Sequence, residues 1–309
     1  MENSSSIEEY KQTIQFLFCA VSSSGKHWFF FSAINVLFAI TATLGNTLIL
    51  VALHKESSLH PPSKLLYRCL AMTDLLVGLI LQPSIALHYA LLVKEHGSTD
   101  LCLAFATIGV VSFTTLSAVS LLTMTTISVD RLLALLLGLR YRHIVTLKRV
   151  RALVALFWIV SVGFAVVTIR EFPLGKRYNV TLISLCIFMS TLCYLKIFLT
   201  LRQNQVQAQQ QQELSDGGGI PLNIARYRKT VATAIWVEVT LLACYLPYAI
   251  VTAVIFTHRS LPFPDIIWEL ASILVGLNSS FNPVLYCWKI KTVKQEVMNT
   301  IRQFLCCAN

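Results

Sequence analysis

The sequence predicts an all-α protein: a seven-transmembrane helix bundle with a C-terminal amphipathic helix on the inner leaflet. Three observations carry this. First, only 13% of the 309 residues are charged and 55% are hydrophobic, with a mean hydropathy of +0.66, whereas a soluble domain carries about 25% charge. Second, the apolar residues fall into seven blocks, roughly 28–53, 65–93, 101–137, 152–169, 180–201, 230–257 and 265–288. At about 20 residues per crossing, each can span a bilayer as a helix. Third, with the N-terminus outside, sixteen Lys and Arg fall in the inner segments and seven in the outer ones, as the positive-inside rule requires. The net charge of +10 then faces anionic lipid of the inner leaflet, and nucleic acid is not expected as a partner. The setting implied is the plasma membrane, with a cytoplasmic C-terminus.

Residues 1–27 read as an extracellular tail. The opening MENSSSIEEYKQTIQFLF is acidic and its apolar run is short and broken by Gln15, which argues against a signal peptide. Asn3-Ser-Ser matches the N-glycosylation pattern, as does Asn179-Val-Thr at the outer end of the fifth helix, and both are candidate acceptors. Residues 28–288 form the bundle. Helix one offers Gly45-Asn46, a small residue beside an amide. Helix two contains Asp74, the lone acid in LAMTDLLVGLI. A charge at mid-bilayer costs roughly 2.5–3.5 kcal/mol, so Asp74 is expected to face the interior and find partners.

Helix three offers Ser117, Ser120 and Thr123 on one face and ends with Asp130-Arg131 at the inner surface, where Arg131 can snorkel to the interface. The second outer segment, REFPLGKRYN, reads as a short loop. Between helices five and six, NQVQAQQQQELSDGGGIPLN (204–223) reads as a flexible cytoplasmic loop. Helix six carries Glu238, expected to snorkel inward or to bond across to helix five, and Pro247, which removes one backbone donor and kinks the helix. Helix seven places Asn278, Ser279, Asn282 and Pro283 in an apolar run; unpartnered, such groups are too costly to bury in lipid. Their oxygens and Asp74 can jointly hold a small hard cation or ordered water.

Residues 289–309 form a cytoplasmic tail. Ile290, Val293, Val297, Ile301 and Phe304 recur every three or four residues opposite Lys and Arg, the pattern of a helix lying on a membrane surface. Cys306 and Cys307 at its end are candidate palmitoylation sites.

Asn46, Asp74, Asp130-Arg131, Trp158, Tyr194, Pro247 in CYLP and Asn282-Pro283-Val-Leu-Tyr286 stand in order on seven spans. In this the chain resembles a rhodopsin-like (class A) G-protein-coupled receptor over residues 28–307. The resemblance implies a ligand-driven switch in which Arg131 and Tyr286 rearrange as helix six pivots at Pro247, opening an inner cleft for a heterotrimeric G protein. Arrestin and a receptor kinase are further partners it implies. It also implies an allosteric sodium ion on Asp74, Ser120, Asn278, Ser279 and Asn282, with no other cofactor.

Several positions depart from that pattern. Leu132 replaces the usual tyrosine after Asp-Arg, Tyr245 the usual tryptophan of helix six, and Cys186 the usual proline of helix five. The second outer loop has no cysteine, so the family's disulfide to Cys102 is not expected there. The inner end of helix six, ARYRK, offers no acid to Arg131, which implies ligand-free signalling. The short cysteine-free loop and proline-free helix five look most like the melanocortin, cannabinoid and sphingolipid receptor branch. Phe113 stands where amine receptors carry an aspartate, and Gly276 where retinal would attach.

The outer half of the bundle offers Phe113, Ser117, Tyr178, Tyr245, Tyr248, Thr252, Trp268 and Ser272 as an aromatic, uncharged lining. Such a lining suits an apolar or weakly polar extracellular ligand, with His88 and Glu269 near the rim. A multi-pass transporter or channel is the competing class. It would place ionisable groups along one path or break helices in matching halves, and neither pattern is present. An enzyme is not expected: no nucleophile–base pair or metal-spaced set appears within the spans.

Overall fold

The computed structural model describes residues 8, 10–19, 26–57, 59–93, 99–214, 222–257, 264–289 and 291–307. Among them, seven helices are long and apolar enough to cross a membrane. These are α1 (Lys26–Lys55), α2 (Pro61–Val93), α3 (Thr99–Leu137), α4 (Leu147–Arg170), α5 (Phe172–Leu214), α6 (Leu222–Thr257) and α7 (Pro264–Lys289). Helix α8 (Lys291–Cys307) follows. A π-helical turn, Val77–Leu81, interrupts α2 just after Asp74, and Pro247 and Pro283 lie inside α6 and α7.

Apolar side chains point both ways, as a lipid-facing bundle requires. Leu37, Leu44, Ile159, Phe188 and Val284 face outward, while Ile49, Leu66, Leu121, Leu241, Tyr248 and Tyr286 are buried within. The bundle closes tightly where α1 meets α7. A Cβ on Gly45 would lie 2.8 Å from the ring of Pro283, so only glycine permits that approach. Gly45→Val is expected to destabilise the bundle by about 1–3 kcal/mol, read as a lower thermal unfolding midpoint of the solubilised protein.

Two segments differ from their sequence reading. The second outer segment is not a loop: α4 ends at Arg170 and α5 begins at Phe172. Gly175 makes this sharp return feasible, because its Cα packs directly on Thr168. The glutamine-rich segment is helical through Leu214. Gln, Ala, Leu and Glu are good helix formers, and they extend a helix already nucleated in the bundle.

The N-terminal tail is also engaged. Tyr10 and Ile14 bury against Ala106, Val110 and Phe172, and a π-helical turn, Gln15–Cys19, ends in a disulfide from Cys19 to Cys102. Cys102 therefore does have a partner, supplied by the tail instead of the second outer segment. At the opposite end, Val293 and Val297 of α8 join the main core, and Lys55 Nζ donates to Thr300 Oγ1 at 3.4 Å.

Candidate functional site: a cavity, a buried acid and an arginine

Three polar or aromatic groupings are strung along the bundle axis. At the disulfide end lies a cavity of about 60 Å³. Phe113, Trp268 and Ser272 line it with Ile85, Phe105 and Val110, and Phe18 of the tail forms part of its wall. Phe18 meets Trp268, Phe172 and His88 at ring distances of 5.9, 6.3 and 6.2 Å. Behind the lining, Tyr248 packs on Phe113 at 5.2 Å, and Trp268 Nε1 donates to Thr252 Oγ1 at 3.2 Å.

Mid-bundle, Asp74 is fully buried. Ser279 Oγ donates to one carboxylate oxygen at 2.8 Å and Asn282 Nδ2 to the other at 2.7 Å. Asn46 Nδ2 donates to the Ser279 carbonyl at 3.0 Å, drawing α1 into the same cluster. Ser120 Oγ lies beside the carboxylate and Tyr245, and among the described residues Asn278 Oδ1 is buried with no hydrogen-bond partner. Asn278 Nδ2 reaches Met124 Sδ at 3.5 Å, which leaves its oxygen free to accept.

At the far end Arg131 pairs with Asp130 at 3.7 Å and lies over the Tyr67 ring at 5.5 Å. Asp130 also accepts from Tyr141 at 2.5 Å and from Ser63 at 2.9 Å. Tyr67 meets Tyr286 edge-on at 5.3 Å. Among the described residues the Tyr286 hydroxyl is buried without a hydrogen-bond partner, and the Tyr194 hydroxyl is buried near Ser128.

The family model described as 7 transmembrane receptor (rhodopsin family) matches residues 45–172 and 174–286. This chain is a rhodopsin-family receptor. As such it is a multi-pass membrane protein of the class that signals through G proteins. The receptor is 26% identical to adenosine receptor A3 of Canis lupus familiaris, over 89% of this chain and 91% of that one. It is 24% identical to probable G-protein coupled receptor 45 of Mus musculus, over 86% and 80%. It is also 24% identical to adenosine receptor A2b of Gallus gallus, over 88% of each chain.

The receptor brings together Asp74, Ser120, Asn278, Ser279 and Asn282 as one cluster, and Asp130 with Arg131. Of the eight expected ligand residues, Phe113, Trp268 and Ser272 line the cavity, and Tyr248 and Thr252 back it. Ser117 bonds the Phe113 carbonyl of its own helix, and Tyr245 is buried deeper; neither lines the cavity. Tyr178 is 43% exposed and packs on Phe164 of α4, so it faces away from the site. Asn179 sits half-buried in α5 and Asn3 lies outside the described residues; α8 extends to Cys306 and Cys307.

The lining is not uncharged. Lys176 of α5 and Glu269 of α7 both line the cavity. Lys176 escaped notice because its stretch reads as a loop, where a lysine is an ordinary solvated residue. Glu238 bonds across to α5: its carboxylate accepts from Ser190 Oγ at 2.8 Å and Thr191 Oγ1 at 2.6 Å. Ser190 in turn lies 3.1 Å from Ser128 Oγ of α3.

Proposed function

We propose that this receptor binds a small extracellular ligand with a largely apolar body in the cavity at the disulfide end, and converts that binding into heterotrimeric G-protein activation at the Arg131 end. The observation that carries the reading is the run of buried aromatics and polar groups joining the two ends. Trp268 and Phe113 pack on Tyr248, at 6.3 and 5.2 Å. Below lie Tyr245 and Asp74, and Tyr286 and Tyr67 lead on to Arg131. A ligand that favours one arrangement of this column shifts the whole population. The disulfide supports an N-terminus on the outside, since such bonds persist in oxidising compartments, and the basic inner segments agree with it. Arrestin and a receptor kinase remain partners to test.

Asp74, Ser120, Asn278, Ser279 and Asn282 suit an allosteric sodium ion: they pair one carboxylate with neutral oxygens, of which Asn278 Oδ1 has no partner among the described residues. When bound, the ion supplies the counter-charge to Asp74 and favours the closed bundle. Asp74→Asn is expected to abolish sodium sensitivity of agonist binding; sodium sensitivity equal to wild type counts against the ion site.

The function itself is tested by a ligand screen on cells expressing the full chain with several chimeric G proteins. A response absent from vector controls is expected. Ion flux through liposome-reconstituted protein without G protein would instead support the transporter class, which the bonding of Asp74, Asp130 and Glu238 to neighbouring helices does not favour.

A further inference from the structure

Lys176 stands in the first turns of α5 with only 5% of its surface exposed. Its ammonium lies 4.3 Å from the ring centroid of Trp268, 5.2 Å from that of Phe172, and 5.9 Å from those of Phe113 and Tyr248. An ammonium carries three donors; among the described residues one is used, toward the Tyr248 hydroxyl at 3.3 Å. It forms no ion pair with a described carboxylate. Glu269 shares the cavity, and its charge acts on the ammonium without closing an ion pair, while its carboxylate accepts from the Tyr89 hydroxyl. Aromatic faces offset only part of the loss of hydration of a buried cation. The cavity thus presents an under-coordinated cation surrounded by ring faces.

We infer that Lys176 is the recognition point for a monocarboxylate ligand, whose apolar or aromatic body lies against the wall that Phe18 now forms. This rests on the reading of the cavity as the ligand site. The geometry narrows the chemistry in two ways. A carboxylate completes the ammonium's donor set and gains a charge-assisted hydrogen bond in a water-poor setting. Beside Glu269 the single ammonium can offset one negative charge but not two, so a carboxylate fits better than a phosphate dianion. A largely apolar body fits because Ile85, Phe105, Val110 and Phe113 dominate the wall, with His88 and Ser272 the neutral polar groups beside them. The cavity of about 60 Å³ is far below the several hundred Å³ of a typical ligand site, so entry of such a body displaces Phe18.

Binding is measured by thermal unfolding of the purified full chain, followed by tryptophan fluorescence, with no G protein present. The probes share one body: phenylbutyrate, phenylbutanol, phenylbutylamine and phenylbutyl phosphate, with adenosine as a neutral nucleoside. Phenylbutyrate is expected to stabilise the protein more than any other probe. Lys176→Met, which keeps an apolar stem, weakens its half-saturation by about ten- to a hundredfold; Lys176→Arg restores most of it. Phe18→Ala strengthens binding without altering the order of the probes, and serves if Lys176→Met does not fold.

Equal stabilisation by phenylbutanol, a preference for the amine or the phosphate, or an unchanged effect in Lys176→Met overturns the assignment. So does the absence of any stabilisation by phenylbutyrate up to its solubility limit. A ligand-driven G-protein response combined with failure here removes the carboxylate assignment alone; failure of both removes the receptor reading of the cavity.

Discussion

Replacing Glu238 by glutamine or leucine is expected to raise ligand-free nucleotide exchange on the coupled G protein about tenfold or more. Glu238 is the only side chain of α6 seen to hydrogen-bond two residues of α5 among the described residues, through Ser190 and Thr191. The Ser190–Ser128 contact extends the grip to α3. A hydrogen bond to a buried charged group contributes about 1.5–3 kcal/mol, so losing one shifts a two-state equilibrium by about ten- to a hundredfold. The substitution leaves no stranded charge, and the single hydroxyl proton of Thr191, no longer drawn to the carboxylate, can go wholly to the Ile187 carbonyl at 2.8 Å. Folding is therefore expected to survive. The missing acid in ARYRK pointed to a weak lock on Arg131; the structure supplies restraint on α6 at another level. Guanine-nucleotide exchange in membranes with matched surface expression decides the matter. Basal exchange equal to wild type in both variants removes this grip from the switch.

Cys19→Ser combined with Cys102→Ser is expected to release the tail from the cavity mouth. The bond joins residues 83 apart in sequence, and such links are typically worth about 2–4 kcal/mol. Without it, the packing of Tyr10, Ile14 and Phe18 is what remains to hold the segment among the described contacts. Amide exchange across residues 10–19 is expected to speed up about tenfold or more, with the rest of the bundle unchanged. Unaltered protection would show that packing alone seats the segment.

What the sequence disclosed follows from how strongly each residue constrains its surroundings. Asp74 was legible because a carboxylate in an apolar run has few tolerable environments, and the asparagines and serines of α7 were the obvious donors. The spans and Asp130-Arg131 were legible for the same reason. The partner of Cys102 was not, because Cys19 lies in a polar tail whose path no periodicity fixes. Lys176 was missed because REFPLGKRYN carries loop-like Pro and Gly, whereas Gly175 packs against Thr168 and lets α5 start almost at once. Tyr178 failed through helical phase: two residues after Lys176 on a helix of 3.6 residues per turn, it points to the other side.

Pro247 and Glu238 lie nine residues apart on α6, about 14 Å along the axis. A bend of roughly ten degrees at the proline therefore carries the carboxylate sideways by about 2 Å, and hydrogen bonds of 2.6–2.8 Å do not survive such a shift. Bends of a degree or two leave them intact. The lever arm between these residues thus links the angle at Pro247 to the hold on α5, small bends sparing the carboxylate's bonds and larger ones breaking them.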